Sequence, residues 1–248
     1  FTWDIRALNI IKEYKKLEIT IFNFSLSGGG TEYMLSVLFN KLSFIKKYNV
    51  NLLICQSGGH YESKILNKER LFFLNKERVI FSLFKLYKFI KNSQTQILLT
   101  SMLHTNVISI FLKIYFLPNL KVIIRESNTI SIKFLYDKSL KSKFLNFLAK
   151  KVYKKADAII APTNVIKNDL IKNYDVKPNL IHKISNPYDF DEIEKLSNKT
   201  LTKKEKKLLD NDYFLSIGRL HPQKNFSFLI KLFKNITLIK KFENYKLY

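Results

Sequence analysis

Short apolar runs rich in β-branched and aromatic residues alternate along the chain with longer stretches whose apolar positions recur at helical spacing. Residues 18–24 (EITIFNF) form the first such run. After SLSGGG, residues 31–47 place Met34, Leu35, Leu38, Leu42 and Ile45 on one helical face. Residues 51–55 repeat the strand signal, 71–74 give a weaker one, and 79–90 return to the helical period. Residues 97–100 and 122–124 are further buried-strand runs, separated by a helix over 107–116 that Pro118 stops. A helix over 139–155 carries Leu140, Phe144, Phe147, Leu148 and Val152 on one side, with Lys141, Lys143, Lys150, Lys151, Lys154 and Lys155 elsewhere. It is expected to pack on the sheet by that apolar side and to show its cations to solvent or to anionic lipid. Residues 156–170 then give strand, Pro-Thr turn and helix. The alternation predicts an α/β protein: a doubly wound, Rossmann-like parallel sheet over residues 17–187, with ligands at the carboxyl ends of its strands. Residues 1–16 match no pattern and stay unassigned, and residues 188–248 begin a second unit.

In that second segment the apolar run 214–217 ends in Gly218-Arg219, and Asn225 opens a helix with Phe226, Leu229, Ile230 and Phe233 on one face. The pattern reads as a buried strand, a tight turn and a helix. Arg219 offers a planar fork of donors and Lys224 a mobile point charge, a pairing suited to a diphosphate beside a helix N-terminus. Two solvated surface cations are the plainer alternative. The six glycines of the chain fall at 28–30, 58–59 and 218, all at the ends of predicted strands. Gly28, Gly29 and Gly30 let the backbone approach a ligand and present N–H groups at a helix start. Tyr33 stands where a dinucleotide fingerprint needs its third glycine, and no Gly-Lys-Ser/Thr follows, which argues against NAD and against a P-loop. Arg125-Glu126-Ser127-Asn128-Thr129 closes another strand with a charged pair and an amide, groups that suit sugar hydroxyls or phosphate; a local ion pair is the alternative. His104, in the loop after residues 97–100, is expected to line a pocket or support it rather than to catalyse.

Composition narrows the classes. A net charge of +23 invites a nucleic-acid reading, yet only five of the 43 cationic residues are arginine, the fork that phosphate and base readers favour. Lys, Asn, Ile, Phe and Tyr are abundant while Gly, Ala and Pro are scarce, as a biased genome would produce, so nucleic acid is disfavoured as a partner. A single cysteine, Cys55, excludes an intrachain disulfide and fits a reducing compartment. No apolar run is long enough to cross a bilayer, and the expected location is cytoplasmic, peripheral on the inner face of the plasma membrane.

Four strings carry a resemblance: G-G-x-E at Gly29, Gly30 and Glu32; R-E-x-N-T at Arg125, Glu126, Asn128 and Thr129; KADAIIAPTNVIKNDL followed by HKISNP and Asp189; and G-R-L-x-x-x-K-N at Gly218, Arg219, Leu220, Lys224 and Asn225. Together they resemble the retaining glycosyltransferases of the GT-B fold, group 1 or family 4 type. The resemblance implies transfer of a sugar from a nucleotide-sugar donor to a lipid-linked or cell-envelope glycan, such as lipopolysaccharide, with retention and with neither metal nor cofactor. It implies that Arg219, Lys224, Gly29 and Gly30 hold the donor diphosphate, and that Glu32, His104, Arg125, Glu126 and Asn128 belong to loops on the acceptor or sugar side. Two departures stand out. Ser127 lies near the place where many relatives carry a histidine. The family's E-x7-E segment is not found after Lys234, so the catalytic residues stay unassigned. Too little chain follows Pro187 for a nucleotide-binding half, which leads to the expectation of a C-terminally truncated transferase, inactive by itself. The alternatives are a basic RNA- or anionic-membrane-binding protein and a non-catalytic nucleotide-binding partner.

Overall fold

The computed structural model describes residues 16–137, 139–209, 212–218, 220 and 224–248. The chain divides into two units, Phe1–Tyr188 and Asp189–Tyr248. The first is built on seven strands: β1 (Leu17–Asn23), β2 (Tyr48–Ile54), β3 (Leu71–Phe73), β4 (Ile97–Ser101), β5 (Lys121–Arg125), β6 (Ala158–Ala161) and β7 (Ile181–Lys183). All pair in parallel, in the order β3-β2-β1-β4-β5-β6-β7. Parallel strands need a crossover at every step, so helices cover both faces and the central strands read as nearly unbroken apolar runs. Ile21, Phe22, Leu52, Leu53, Ile54, Leu98, Val122, Ile124 and Ile159 are buried in two clusters. Phe22, Leu53, Leu98 and Val122 share one with residues of helices Leu83–Asn92, Leu103–Tyr115 and Asn164–Tyr174, whereas Ile21, Leu52 and Leu99 meet helix Gly30–Ser43 in the other.

Strand order runs outward in opposite directions from the β1/β4 pair. The loops that leave the carboxyl ends of these two strands therefore separate there, which makes it the ligand-binding position of a doubly wound sheet.

Several elements differ from expectation. The helix after β4 starts at Leu103 rather than at 107, because Met102 takes a left-handed backbone (φ 86°) and lets the chain turn at once into the helix. His104 is thus helical. Helix Ile130–Tyr136 follows the Arg125 loop without a strong sequence signal. Helix Leu140–Val152 is rotated from the orientation its apolar spacing suggested. Leu140, Phe144 and Phe147 are 84%, 63% and 56% exposed, while Leu145, Leu148 and Val152 pack on the core. Ser142 and Ala149 are buried on the inward side, where their small size lets the helix approach closely.

Gly59 shows why one glycine cannot be replaced. A Cβ at this position would lie 2.4 Å from the carbonyl carbon of Leu26 and 2.6 Å from its oxygen. The loop after β2 is fastened to the loop after β1 by Gln56 N–H to Phe24 O (2.8 Å) and Tyr61 N–H to Leu26 O (2.9 Å). Gly59→Ala must push backbone from backbone, and an overpacking loss of about 1–3 kcal/mol is expected in urea unfolding. A midpoint equal to that of the parent chain would show that the two loops are not so tightly joined.

The second unit has helices Phe190–Ser197, Lys203–Leu208 and Phe226–Ile236 and two short parallel strands, β8 (Tyr213–Phe214) and β9 (Lys246–Leu247). Polar caps start the first two helices: Asp189 accepts from the Glu192 N–H, and Thr202 and Glu205 cap reciprocally. The run 214–217 is not the buried strand expected. The strand proper ends at Phe214, Ser216 N–H still donates to Tyr248 O (2.8 Å), and Leu215 and Ile217 are 61% and 83% exposed, since a two-stranded sheet does little to cover its own faces.

Candidate functional site

The carboxyl ends of β1, β4 and β5 bring three loops of the first unit into view. After β1, Gly28 takes φ 139°, a backbone that L side chains rarely adopt, and Gly29 precedes the first turn of helix Gly30–Ser43. A Cβ on Gly29 would meet Glu32 Oε2 at 2.6 Å, whereas one on Gly30 would meet nothing within 4 Å. The Glu32 carboxylate, buried in the first turn, thus folds back over Gly29 and sits favourably at the positive end of the helix. At the end of β1, buried Asn23 donates to Ser25 O (3.0 Å), while its Oδ1 has no hydrogen-bond partner among the described residues.

Beyond β4, Met102 is strained and His104 stands edge-on to Phe24, with ring centroids 5.6 Å apart. Burial, helped by Lys133 and Lys141, pushes the His104 pKa down to about 4. At neutral pH the imidazole is therefore uncharged and has one acceptor and one donor nitrogen.

Below these loops lies a polar cluster inside the protein. Asn106 accepts from Thr100 Oγ1 (2.7 Å) and donates to Arg125 O (3.0 Å) and Glu126 Oε1 (2.7 Å). Tyr153 donates its hydroxyl proton to the same Glu126 oxygen. Burial raises the Glu126 carboxyl to about 7, against the opposing pull of its Tyr153 and Asn106 hydrogen bonds. The Arg125 guanidinium, 5% exposed, reaches Ser101 Oγ (3.1 Å) and Asn186 Oδ1 (2.6 Å). Arg125 and Glu126 thus turn inward from their loop, Ser127 is half-buried and Asn128 is exposed.

In the second unit a Cβ on Gly218 would lie 3.4 Å from Lys224 Cγ and Cδ, so the Lys224 stem crosses over this glycine. Lys224 is exposed, and Asn225 takes a left-handed backbone (φ 51°) to start helix Phe226–Ile236. Arg219, expected beside Lys224 on the diphosphate, lies outside the described residues.

The sequence-predicted residues Gly29, Gly30, Glu32, His104, Arg125, Glu126 and Asn128 all belong to a strand end, loops or helix starts at the carboxyl end of the sheet. Of these, Glu126 is enclosed within the protein and Asn128 faces solvent. Asn106 and Tyr153 were not recognisable as their partners, because each is distant in sequence and reads locally as an ordinary helical residue. The described residues include no group of three or more His, Cys, Asp or Glu that could hold a metal ion. Two hollows of about 420 and 600 Å³ lie around the amino ends of the strands, lined by Glu18, Asn49 and Arg70 and by Gln96 and Lys121. They are away from these loops.

The doubly wound parallel sheet is the fold of the solved GT-B glycosyltransferases on which it superposes, a fold that other activities share. Residues 29–192 match the Glycosyltransferase Family 4 profile, more than half of the chain, and the protein belongs to that family. An uncharacterized glycosyltransferase of Methanocaldococcus jannaschii is 34% identical over 113 residues, 45% of this chain and 27% of that protein. The N-acetylgalactosamine-N,N'-diacetylbacillosaminyl-diphospho-undecaprenol 4-alpha-N-acetylgalactosaminyltransferase of Campylobacter jejuni is 26% identical over 232 residues, covering 88% of this chain and 60% of its own. The chain therefore spans less than two thirds of either relative. Among solved structures, the apo lipopolysaccharide outer core galactosyltransferase WaaB superposes with a TM-score of 0.60 at 13% identity, over 93% of this chain and 60% of that one. Anabaena HepE in complex with UDP and glucose gives 0.62 at 14% identity, over 88% and 58%. These matches do not favour the RNA-binding alternative.

Proposed function

We propose that the protein takes part in transfer of a sugar from a nucleotide-sugar donor, with retention, to a lipid-linked or cell-envelope glycan. The family match over residues 29–192 carries this reading, because it runs through the glycine loop, the Arg125 loop and the segment that ends the first unit. The Campylobacter relative, named for a diphospho-undecaprenol acceptor, supports the acceptor class. HepE, solved with UDP and glucose, supports the donor class.

In this reading Arg219 and Lys224 of the second unit bind the donor diphosphate as fork and point charge, and in the first unit the Gly29–Gly30 backbone is assigned to donor phosphate by its N–H groups. Glu32, neutral His104 and Asn128 lie along the acceptor side. Arg125 and Glu126 hold that loop from beneath. No metal or further cofactor is assigned a role, since two cations suffice to neutralise a diphosphate.

Calorimetric titration with UDP and GDP tests the donor side. Two charge-assisted contacts contribute about 1.5–3 kcal/mol each, so Arg219→Ala and Lys224→Ala should each weaken binding about tenfold or more. Nucleotide affinity equal to that of the parent chain in both variants would remove the diphosphate assignment.

A further inference from the structure

The amino half of one sheet face is polar where a doubly covered parallel sheet should be apolar. Along that face Glu18, Thr20 and Phe22 follow one another on β1, beside Asn49, Asn51 and Leu53 on β2. Phe22 and Leu53 belong to the core, whereas Asn51, only 2% exposed, is an amide inside a parallel strand. Burying an amide costs free energy unless its hydrogen bonds are made. Asn51 Oδ1 accepts from Arg70 Nη1 (3.1 Å), while its Nδ2 donors have no partner among the described residues. Asn49 donates to Glu18 Oε1 (2.6 Å).

These side chains line a hollow of about 420 Å³, a volume within the range of small-molecule sites. Glu18 and Arg70 stand on either side of β2, so their backbones are roughly 10 Å or more apart. Arg70 makes no ion pair among the described residues, which leaves most of its fork of donors to the hollow. Phe72 and Phe89, with ring centroids 5.0 Å apart, supply an apolar wall.

The chemistry of this set selects its ligand. One carboxylate and one guanidinium leave it neutral. A phosphate would meet Glu18, and an ammonium group would meet Arg70. A ring bearing several hydroxyls answers every group: it donates to the carboxylate, accepts from the guanidinium and the Asn51 amide, and keeps a C–H face for the phenyl rings.

We propose that this hollow binds a saccharide unit of a neutral glycan, at the amino end of the sheet and apart from the loops beyond β1, β4 and β5. The inference does not rest on the sugar-transfer reading, because it concerns binding alone and uses none of the residues assigned to transfer.

NMR titration of the isotope-labelled chain with glucose, galactose and N-acetylgalactosamine tests it. The hollow is open to water, so a dissociation constant of about 1–10 mM is expected, and titration should run to about 50 mM. At least one sugar should shift the amides of Glu18 and of residues 49–51, 70–72 and 89–92. Inorganic phosphate should leave them in place. Arg70→Ala should weaken the sugar about tenfold or more, because a charge-assisted contact is lost. Glu18→Gln keeps an acceptor for Asn49 and removes only the charge; it should stay folded by circular dichroism and bind several-fold less tightly. Silence of these amides toward all three sugars would overturn the proposal, whatever UDP does at the other end of the sheet. So would sugar shifts confined to residues 28–32 and 125–129, phosphate shifts as large as those of the sugar, or unchanged affinity in both variants.

Discussion

Asn106→Ala should destabilise the first unit by about 3–5 kcal/mol, at the upper end of single-substitution effects, because it orphans several buried groups at once. The Asn106 side chain is fully buried and joins three elements. It takes the Thr100 hydroxyl from β4 and gives its N–H groups to the Arg125 carbonyl and Glu126 carboxyl at the end of β5. Each partner left without a hydrogen bond costs about 1–3 kcal/mol, since water cannot reach it without opening the core. Asn106→Asp should be little better, for it loses both N–H donors and sets a carboxylate against Glu126. The check is urea unfolding: a lower midpoint at an unchanged slope signals lost stability in an intact native state. A loss below about 1 kcal/mol would mean that relaxation or water replaces the missing amide. The same substitution should loosen the Arg125 loop, which would show as faster amide exchange at residues 125–129.

The division between what could and could not be read in the sequence follows the physics of each signal. β1, β2, β4 and β5 were legible because a parallel strand covered on both faces must be apolar at nearly every position. The turn at Gly28–Gly30 was legible because a left-handed backbone selects glycine, and the fold class followed from the alternation. Helix Leu140–Val152 was misjudged because apolar residues occur on both of its sides. Spacing identifies a stripe, but the small buried pair Ser142 and Ala149 marks the side that turns inward, against helices Leu103–Tyr115 and Asn164–Tyr174 rather than the sheet itself. Residues 214–217 carry a strand pattern without the burial that usually goes with it: β-propensity reports fitness for a half-buried pleat, and burial depends on neighbours that composition does not reveal. The cluster under the Arg125 loop was beyond reach altogether. Glu126 and Tyr153 are 27 residues apart and Asn106 and Tyr153 are 47 apart, so no local pattern connects them. A charged pair such as Arg125-Glu126 at a strand end carries no local signal of which way its side chains turn. An end-of-strand residue can instead point back under the sheet, as Glu126 does.

The last expected result concerns that carboxyl and pH. Burial raises Glu126 from its ordinary 4.5 to about 7 in the folded chain, despite the hydrogen bonds from Tyr153 and Asn106 that favour its charged form. Between those two values the folded protein holds a proton that the unfolded chain has released. The contribution is therefore fully present below about 4.5, is lost as pH rises toward 7, and is constant above that. At about 1.4 kcal/mol per pH unit, the swing amounts to about 3 kcal/mol. Glu126→Gln keeps an oxygen that can accept from Tyr153 and Asn106 and cannot titrate. Unfolding free energies of parent and variant, measured from pH 4 to pH 8, should thus diverge with rising pH, the variant gaining on the parent and most steeply between pH 5 and 7. Other titrating groups, such as Asp157 with its Lys113 ion pair, are common to both proteins and cancel in the difference. Parallel curves across the range would show that the carboxylate stays charged throughout, with Arg125 and Asn106 compensating it better than its burial suggests. A divergence would establish that near neutral pH one proton decides whether a negative charge lies directly under the loop carrying Arg125 and Asn128.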